Sequence, residues 1–183
     1  MPQASDSDPA TRFRWPVRVY YEDTDAAGIV YYANYQRFFE RGRTQWLRAL
    51  GVDQRALAVE YGLQFVVARA QVAYLRPARL DDALVVESIV LQRGASFVMF
   101  EQRALRDNVT LTTARVKVAC VDLARLRPNR LPEALLKRIP VAAAVAARPD
   151  RPLPAGARPA ARSDPGAAAS PASQPLLIKH PEP

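Results

Sequence analysis

The sequence predicts an α+β domain in which an antiparallel five-stranded sheet wraps around one long central helix. Three observations carry this prediction. From Tyr31 to Leu50, apolar or small residues recur at 31, 35, 38, 39, 42, 46, 49 and 50, a single stripe at helical spacing. Four later stretches, Gln64 to Leu75, Leu84 to Leu91, Phe97 to Arg106 and Leu111 to Asp122, read as strands separated by turn residues. Gly42 interrupts the helical stripe, where glycine costs up to ~1 kcal/mol relative to alanine. A sheet drawn tightly against the helix gives that glycine a reason.

Taken in order, Val17 to Glu22 alternates apolar and polar residues and is expected to form the first strand. It breaks at Asp23-Thr24-Asp25-Ala26-Ala27-Gly28, a turn-like loop leading into the long helix. Gly51 closes that helix, and Val52 to Tyr61 predicts a short second helix ending at Gly62. Arg76-Pro77-Ala78 with Asp81-Asp82, then Arg93-Gly94, then Asp107-Asn108 supply the turns between the four later strands. The last two are short enough for antiparallel hairpins. Residues 14–140 are therefore expected to form one domain, between a loose N-terminus over residues 1–13 and a disordered tail over 141–183. Nine of the sixteen prolines and thirteen alanines fall in that tail, which has too few large apolar residues to offset the entropy of ordering. Leu176-Leu177-Ile178 is its only apolar cluster.

Composition narrows the chemistry. The only histidine is His180, in the tail, and the only cysteine is Cys120, which shares a strand face with Val116 and Val118 and reads as a buried hydrophobe. A Ser-His-Asp or Cys-His nucleophile, a zinc site and a disulfide framework are thereby disfavoured. Hydrolytic chemistry would have to rest on carboxylates, backbone amides, hydroxyls or arginine. The formal charge of +8 suits a polyanion or a phosphate-bearing small molecule. With no RNA-binding signature and no zinc module, nucleic acid is not the expected partner. The N-terminus lacks the pattern of a signal peptide and no segment approaches a membrane span, so a cytoplasmic location is expected.

The run from Tyr21 to Arg43 carries the reactive groups. The first amides of a helix lack intrahelical partners, and the helix dipole makes that end attractive to negative charge. Asp25 near amides around Tyr32 would combine a base or nucleophile with an oxyanion site, as acyl transfer requires. The competing structural role for Asp25 is to satisfy loop amides. Asp23 reads as a turn residue or cap, and Glu22 as part of the strand. Three acids in four residues do not suffice for a hard-cation site, which needs a glycine-punctuated loop and further acids. Tyr31, Tyr32, Tyr35 and Phe38 either line an acyl pocket or pack the core. Asn34 either fixes the loop or meets substrate, Glu40 either pairs with an arginine on the helix face or, as Asn34 could too, takes an ordinary solvated or capping role, and Gly28 belongs to the substrate-binding loop. Arg93 beside Gly94, with Arg125, Arg127 and Arg130, are candidates for binding phosphate.

Tyr21-Glu22-Asp23-Thr24-Asp25, Gly28-Ile29-Val30-Tyr31-Tyr32-Ala33-Asn34-Tyr35 and Phe39-Glu40-Arg41 together resemble the signature of the hot-dog-fold acyl-CoA thioesterases. The nearest branches are the YbgC-like enzymes associated with the Tol-Pal cell-envelope system and the 4-hydroxybenzoyl-CoA thioesterases. The resemblance runs from about Phe13 to Ile139. It implies that Asp25, the second aspartate of the loop, attacks the thioester carbonyl or activates water, and that the Tyr32 amide polarises the carbonyl oxygen. YbgC-like members usually carry histidine where Tyr32 stands, and in this respect the chain is similar to the aromatic thioesterases. The resemblance further implies acyl-CoA as substrate with no separate cofactor, a homodimer or homotetramer with sites at subunit boundaries, and cell-envelope or phospholipid-synthesis partners. A non-catalytic acyl-CoA-binding or scaffold protein is the alternative reading.

Overall fold

The computed structural model of the chain describes residues 12–142. The expected loose N-terminal segment and disordered tail, with His180 and the Leu176-Leu177-Ile178 cluster, fall almost wholly outside these residues. The elements run β1 (Arg12–Arg18), α1 (Asn34–Ala49), α2 (Gln54–Tyr61), β2 (Leu63–Tyr74), β3 (Ala83–Arg93), β4 (Phe97–Arg106), β5 (Val109–Asp122), β6 (Arg127–Pro128) and α3 (Glu133–Arg138). The main sheet has strand order β1-β3-β4-β5-β2 and every pairing is antiparallel. This is the hot-dog arrangement, with α1 as the filling.

Side chains that alternate along the strands build the inner face of the sheet. Leu84, Val86 and Val90 of β3, Val98, Phe100 and Ala104 of β4, and Ala114, Val116 and Cys120 of β5 are all buried against Phe38, Phe39, Trp46 and Leu47 of α1. A fully buried side chain such as Phe38 contributes roughly 1.5–3 kcal/mol. Bulges between Val67 and Arg69, Val90 and Gln92, and Ala104 and Leu105 bend the sheet around the helix. Gly42 meets the sheet as expected, since a Cβ placed on it would lie 2.7 Å from Val86 Cγ1. The Asp107-Asn108 hairpin is a two-residue turn with φ of 50° and 62°, a conformation these two residue types tolerate.

The first strand differs from its expected Val17–Glu22. Pairing with β3 occupies Arg12–Arg18 and includes Pro16, which an edge strand accommodates because its N–H side need not join a ladder. Tyr21–Asp23 instead form one turn of 3₁₀ helix, closed by Tyr20 N–H donating to Asp23 Oδ2 at 2.9 Å. Glu22 therefore belongs to that turn and is exposed. The two-residue β6 and the six-residue α3 were not anticipated. Both are too short to show a period, yet Leu131, Leu135 and Ile139 are buried and close one end of the core.

Candidate active site

The loop between β1 and α1 is a narrow hairpin. Thr24 and Val30 form an antiparallel bridge, Asp25 N–H donates to Ile29 O at 3.0 Å, and Tyr31 N–H donates to Asp23 O at 2.9 Å. Gly28 makes the return with φ +68° and open space where a Cβ would be. Asp23 and Asp25 are separated sharply by this geometry. The buried Asp23 holds Tyr20 N–H with its carboxylate, and its carbonyl also accepts from Asn34 Nδ2 at 3.0 Å. It is the loop cap expected from its position.

Asp25 is exposed and lines an open depression of about 500 Å³ with Tyr21, Thr24, Ala26, Gly28 and Leu80. Its Oδ1 accepts from Ala27 N–H at 2.9 Å, which fixes the carboxylate and leaves Oδ2 directed elsewhere. The structural role considered for Asp25 is thus present in one oxygen only.

The hairpin delivers the chain to the start of α1 in an unusual state. Ala33 occupies the N-cap position with helical φ and ψ, and no side chain caps the helix. Asn34 and Gln36 amides find the carbonyls of Tyr31 and Ala33. Among the described residues, the Tyr32 and Ala33 amides donate to no backbone carbonyl. A sixteen-residue helix therefore begins with unpaired donors and the positive end of its dipole, seven residues beyond Asp25 on the same loop.

Tyrosines surround this end. The Tyr31 and Tyr32 rings lie 4.6 Å apart, Tyr32 meets Tyr74 edge-on at 6.1 Å, and Tyr35 lies 5.9 Å from both Tyr74 and Phe38. The hydrogen bond with Tyr32 raises the Tyr31 hydroxyl above its ordinary value, the charge of Tyr32 adds to this, then slight desolvation, and the Asp25 carboxylate adds a smaller push. Asp25 and Tyr31 are thus electrostatic neighbours on the loop. Tyr35 is placed differently. It is buried, its hydroxyl accepts from Ala78 N–H at 3.2 Å, and burial raises its pKa. It ties the helix to the 75–82 segment, whose Ala78 carbonyl also accepts from Val30 N–H.

The structure thus gathers Asp25, Gly28, Tyr31, Tyr32 and Asn34 at one end of α1, with Tyr35 behind them. Asn34 fixes the loop, one of its two expected roles. Within one chain, Arg93 is not gathered with them. It ends β3, whose first residue, Ala83, is at the loop end, so ten residues of strand separate it from the site by about 30 Å. Its guanidinium donates to the carbonyls of Leu136 and Ile139 at the end of α3. Arg125, Arg127 and Arg130 are exposed, and Arg125 pairs with Asp122 at 3.6 Å. Glu40 accepts from Thr44 Oγ1 at 2.6 Å and, among the described residues, forms no ion pair with an arginine, which leaves the ordinary helix-face role. Tyr74 and Leu80 join the site although no local pattern marks them, since only the fold returns β2 and the 75–82 segment to this end. Among the described residues, no group of three or more His, Cys, Asp or Glu is placed to hold a metal ion, and no helix is long and apolar enough to cross a membrane.

Known proteins resemble this chain in sequence and in fold. Residues 19–139 match the model of the thioesterase-like superfamily. The chain is 49% identical over 121 residues to the acyl-CoA thioesterase YbgC of Haemophilus influenzae, covering 66% of this chain and 89% of that protein. It is 46% identical to the acyl-CoA thioester hydrolase YbgC of Escherichia coli, over 69% of this chain and 94% of that one. A probable thioesterase from Bartonella henselae superposes with a TM-score of 0.63 at 36% identity, covering 66% of this chain and 99% of that structure.

Proposed function

The chain belongs to the thioesterase-like superfamily, and from that premise we propose that it hydrolyses the thioester of an acyl-CoA to free acid and coenzyme A. One observation carries the site assignment: α1 begins without a cap, with the Tyr32 amide unpaired, in the region where Asp25 is held exposed. In this reading the thioester carbonyl oxygen lies against the Tyr32 N–H, and Asp25 acts on the carbonyl carbon. Either Oδ2 attacks, expelling the thiolate and leaving a mixed anhydride that water opens, or the carboxylate takes a proton from a water that attacks directly. Both routes consume one water, break the C–S bond and place a proton on the departing thiol. Oxyanion donors typically contribute ~3–4 kcal/mol and a positioned base about 10²–10⁴ in rate.

Gly28, Tyr31, Asn34 and Tyr35 shape the approach, the glycine by leaving space and the tyrosines by walling it. No cofactor enters the scheme, because coenzyme A arrives as part of the substrate. The open edge of β2 exposes Val66, Val67 and Tyr74, the kind of edge that pairs with another copy. A homodimer or homotetramer is part of this reading, as are the cytoplasmic location and the cell-envelope or phospholipid-synthesis partners that the resemblance implies. Thiol release from a panel of short, long and aromatic acyl-CoA substrates is the test. Hydrolysis of at least one class is expected, whereas saturable binding without release across the panel would establish the non-catalytic alternative.

A further inference from the structure

A second cavity lies deeper along α1, between the helix and the sheet. It holds about 90 Å³ and is lined by Trp46, Leu47, Phe65, Phe100 and Val118, with Arg43 among them. Arg43 is 92% buried, since only 8% of its surface is exposed. Its Nη1 donates to Gln102 Oε1 at 2.7 Å. Gln102 is itself held by two further bonds, from Nε2 to Phe39 O at 2.9 Å and to Ser88 Oγ at 2.8 Å, so the guanidinium has a fixed orientation.

This cation sits in no ion pair among the described residues, although the Glu40 carboxylate three residues back is close enough to act on it. The nearest carboxylate on the cavity wall, Glu40, accepts from Thr44 Oγ1, which in turn accepts from Gln54 Nε2 at 3.2 Å. Burial lowers the Arg43 pKa and the Glu40 charge opposes that shift, yet a guanidinium stays protonated at neutral pH. Nε and Nη2 have no hydrogen-bond partner among the described residues and are not sealed from solvent, and Arg43 is one of the residues that line the cavity. Most of the wall is apolar, its Glu40, Thr44 and Gln54 are bonded to one another, and Arg43 is its one cation, so the cavity selects a ligand that has a hydrocarbon body and one anionic head. At about 10–15 Å³ of such volume for each water-sized group, the space admits roughly six to nine heavy atoms.

We propose that this cavity binds a short-chain carboxylic acid, with Arg43 on the carboxylate and the Trp46-Phe65-Phe100 wall on the chain. Such acids are the chemical class that the proposed hydrolysis releases, and only the source of the ligand rests on that reading. The site is distinct from the Asp25 loop within one chain, because its helical lining begins at Glu40, six residues and about 9 Å beyond Asn34. Phe65 and Val67 place its mouth beside the open edge of β2.

The test is titration of the full chain with hexanoate and with 1-hexanol, read by calorimetry and by tryptophan fluorescence. Hexanoate is expected to bind at least tenfold more tightly. Arg43→Met should remove that preference while keeping hexanol binding, and Phe65→Trp, which fills the mouth with Arg43 untouched, should weaken both ligands. Asp25→Asn should bind hexanoate as the unaltered chain does, so loss of turnover and loss of this site are separable. Equal affinity for acid and alcohol, no hexanoate binding, or undiminished hexanoate binding in both cavity variants would overturn the proposal.

Discussion

The two main helices begin in opposite ways. At the start of α2, Asp53 turns its carboxylate back on the chain, and Oδ1 accepts from Arg55 N–H at 2.7 Å and Ala56 N–H at 3.2 Å. At the start of α1, twice as long, the N-cap is Ala33 and no side chain reaches the first amides. The nearby Asp25 bonds only Ala27 N–H within its own loop. Both aspartates precede a helix, yet one is consumed by its helix and the other is held apart from donors it could have satisfied. A capping residue is normally worth about 0.5–2 kcal/mol. Leaving α1 open therefore gives up stability at the point where the thioester is proposed to bind.

The contrast predicts a separation of effects. The largest belongs to Asp25→Asn, which should lower thiol release from acyl-CoA at least about a hundredfold and leave the melting temperature within a few degrees. Near-normal turnover would erase the distinction between the two aspartates. Next comes Gly42→Ala, which belongs to the packed middle of α1. Overpacking against Val86 costs about 1–3 kcal/mol and exceeds the helix-propensity gain of up to ~1 kcal/mol. A net loss in urea stability is expected, and a variant more stable than the unaltered chain would refute the close approach. Asp53→Ala should cost about 1 kcal/mol in the same assay through loss of the cap, with kcat unchanged.

A pH experiment sharpens the picture behind the loop. Burial raises the Tyr35 pKa above its ordinary 10.0, so the folded chain keeps that proton to higher pH than the unfolded chain. Its contribution is intact below the unfolded value and is lost as pH rises through the raised folded value. Tyr35→Phe should flatten the alkaline fall in stability, and denaturant midpoints measured from neutral to strongly alkaline pH will show whether it does. The smallest effect is expected for Tyr32→Phe. If the amide rather than the hydroxyl acts, turnover should change by less than about threefold, under ~0.7 kcal/mol, and a loss comparable with that of Asp25→Asn would move the role to the side chain.

Much of this was legible in the sequence where a period or a stereochemical requirement spoke. The helical stripe found all of α1 while starting it three residues early, at Tyr31, Gly62 stopped α2 in the left-handed conformation expected of a C-cap, and Gly42 announced the sheet. The first strand was misplaced because Tyr20 to Glu22 alternate like a strand while Asp23 folds the backbone into a turn. Arg93 was drawn toward phosphate by its glycine neighbour, although in the fold its donors meet the carbonyls that end α3. Arg43 gave no signal at all. Its position on the helical wheel borders the apolar stripe, and nothing local says that Gln102, fifty-nine residues away, will receive it.

By itself, the sequence determined the two main helices and the four later strands, the absence of a histidine from the domain, and the placement of an acid ahead of a long helix, because these follow from local sterics and residue chemistry. Tertiary structure alone decided that Asp23 is buried and Asp25 exposed, that Tyr74 and Leu80 come to the loop, and that Arg43 lines a cavity outside any ion pair among the described residues. Those outcomes depend on which surfaces the curled sheet covers, and coverage is a property of chain segments far apart in sequence, which no local pattern encodes.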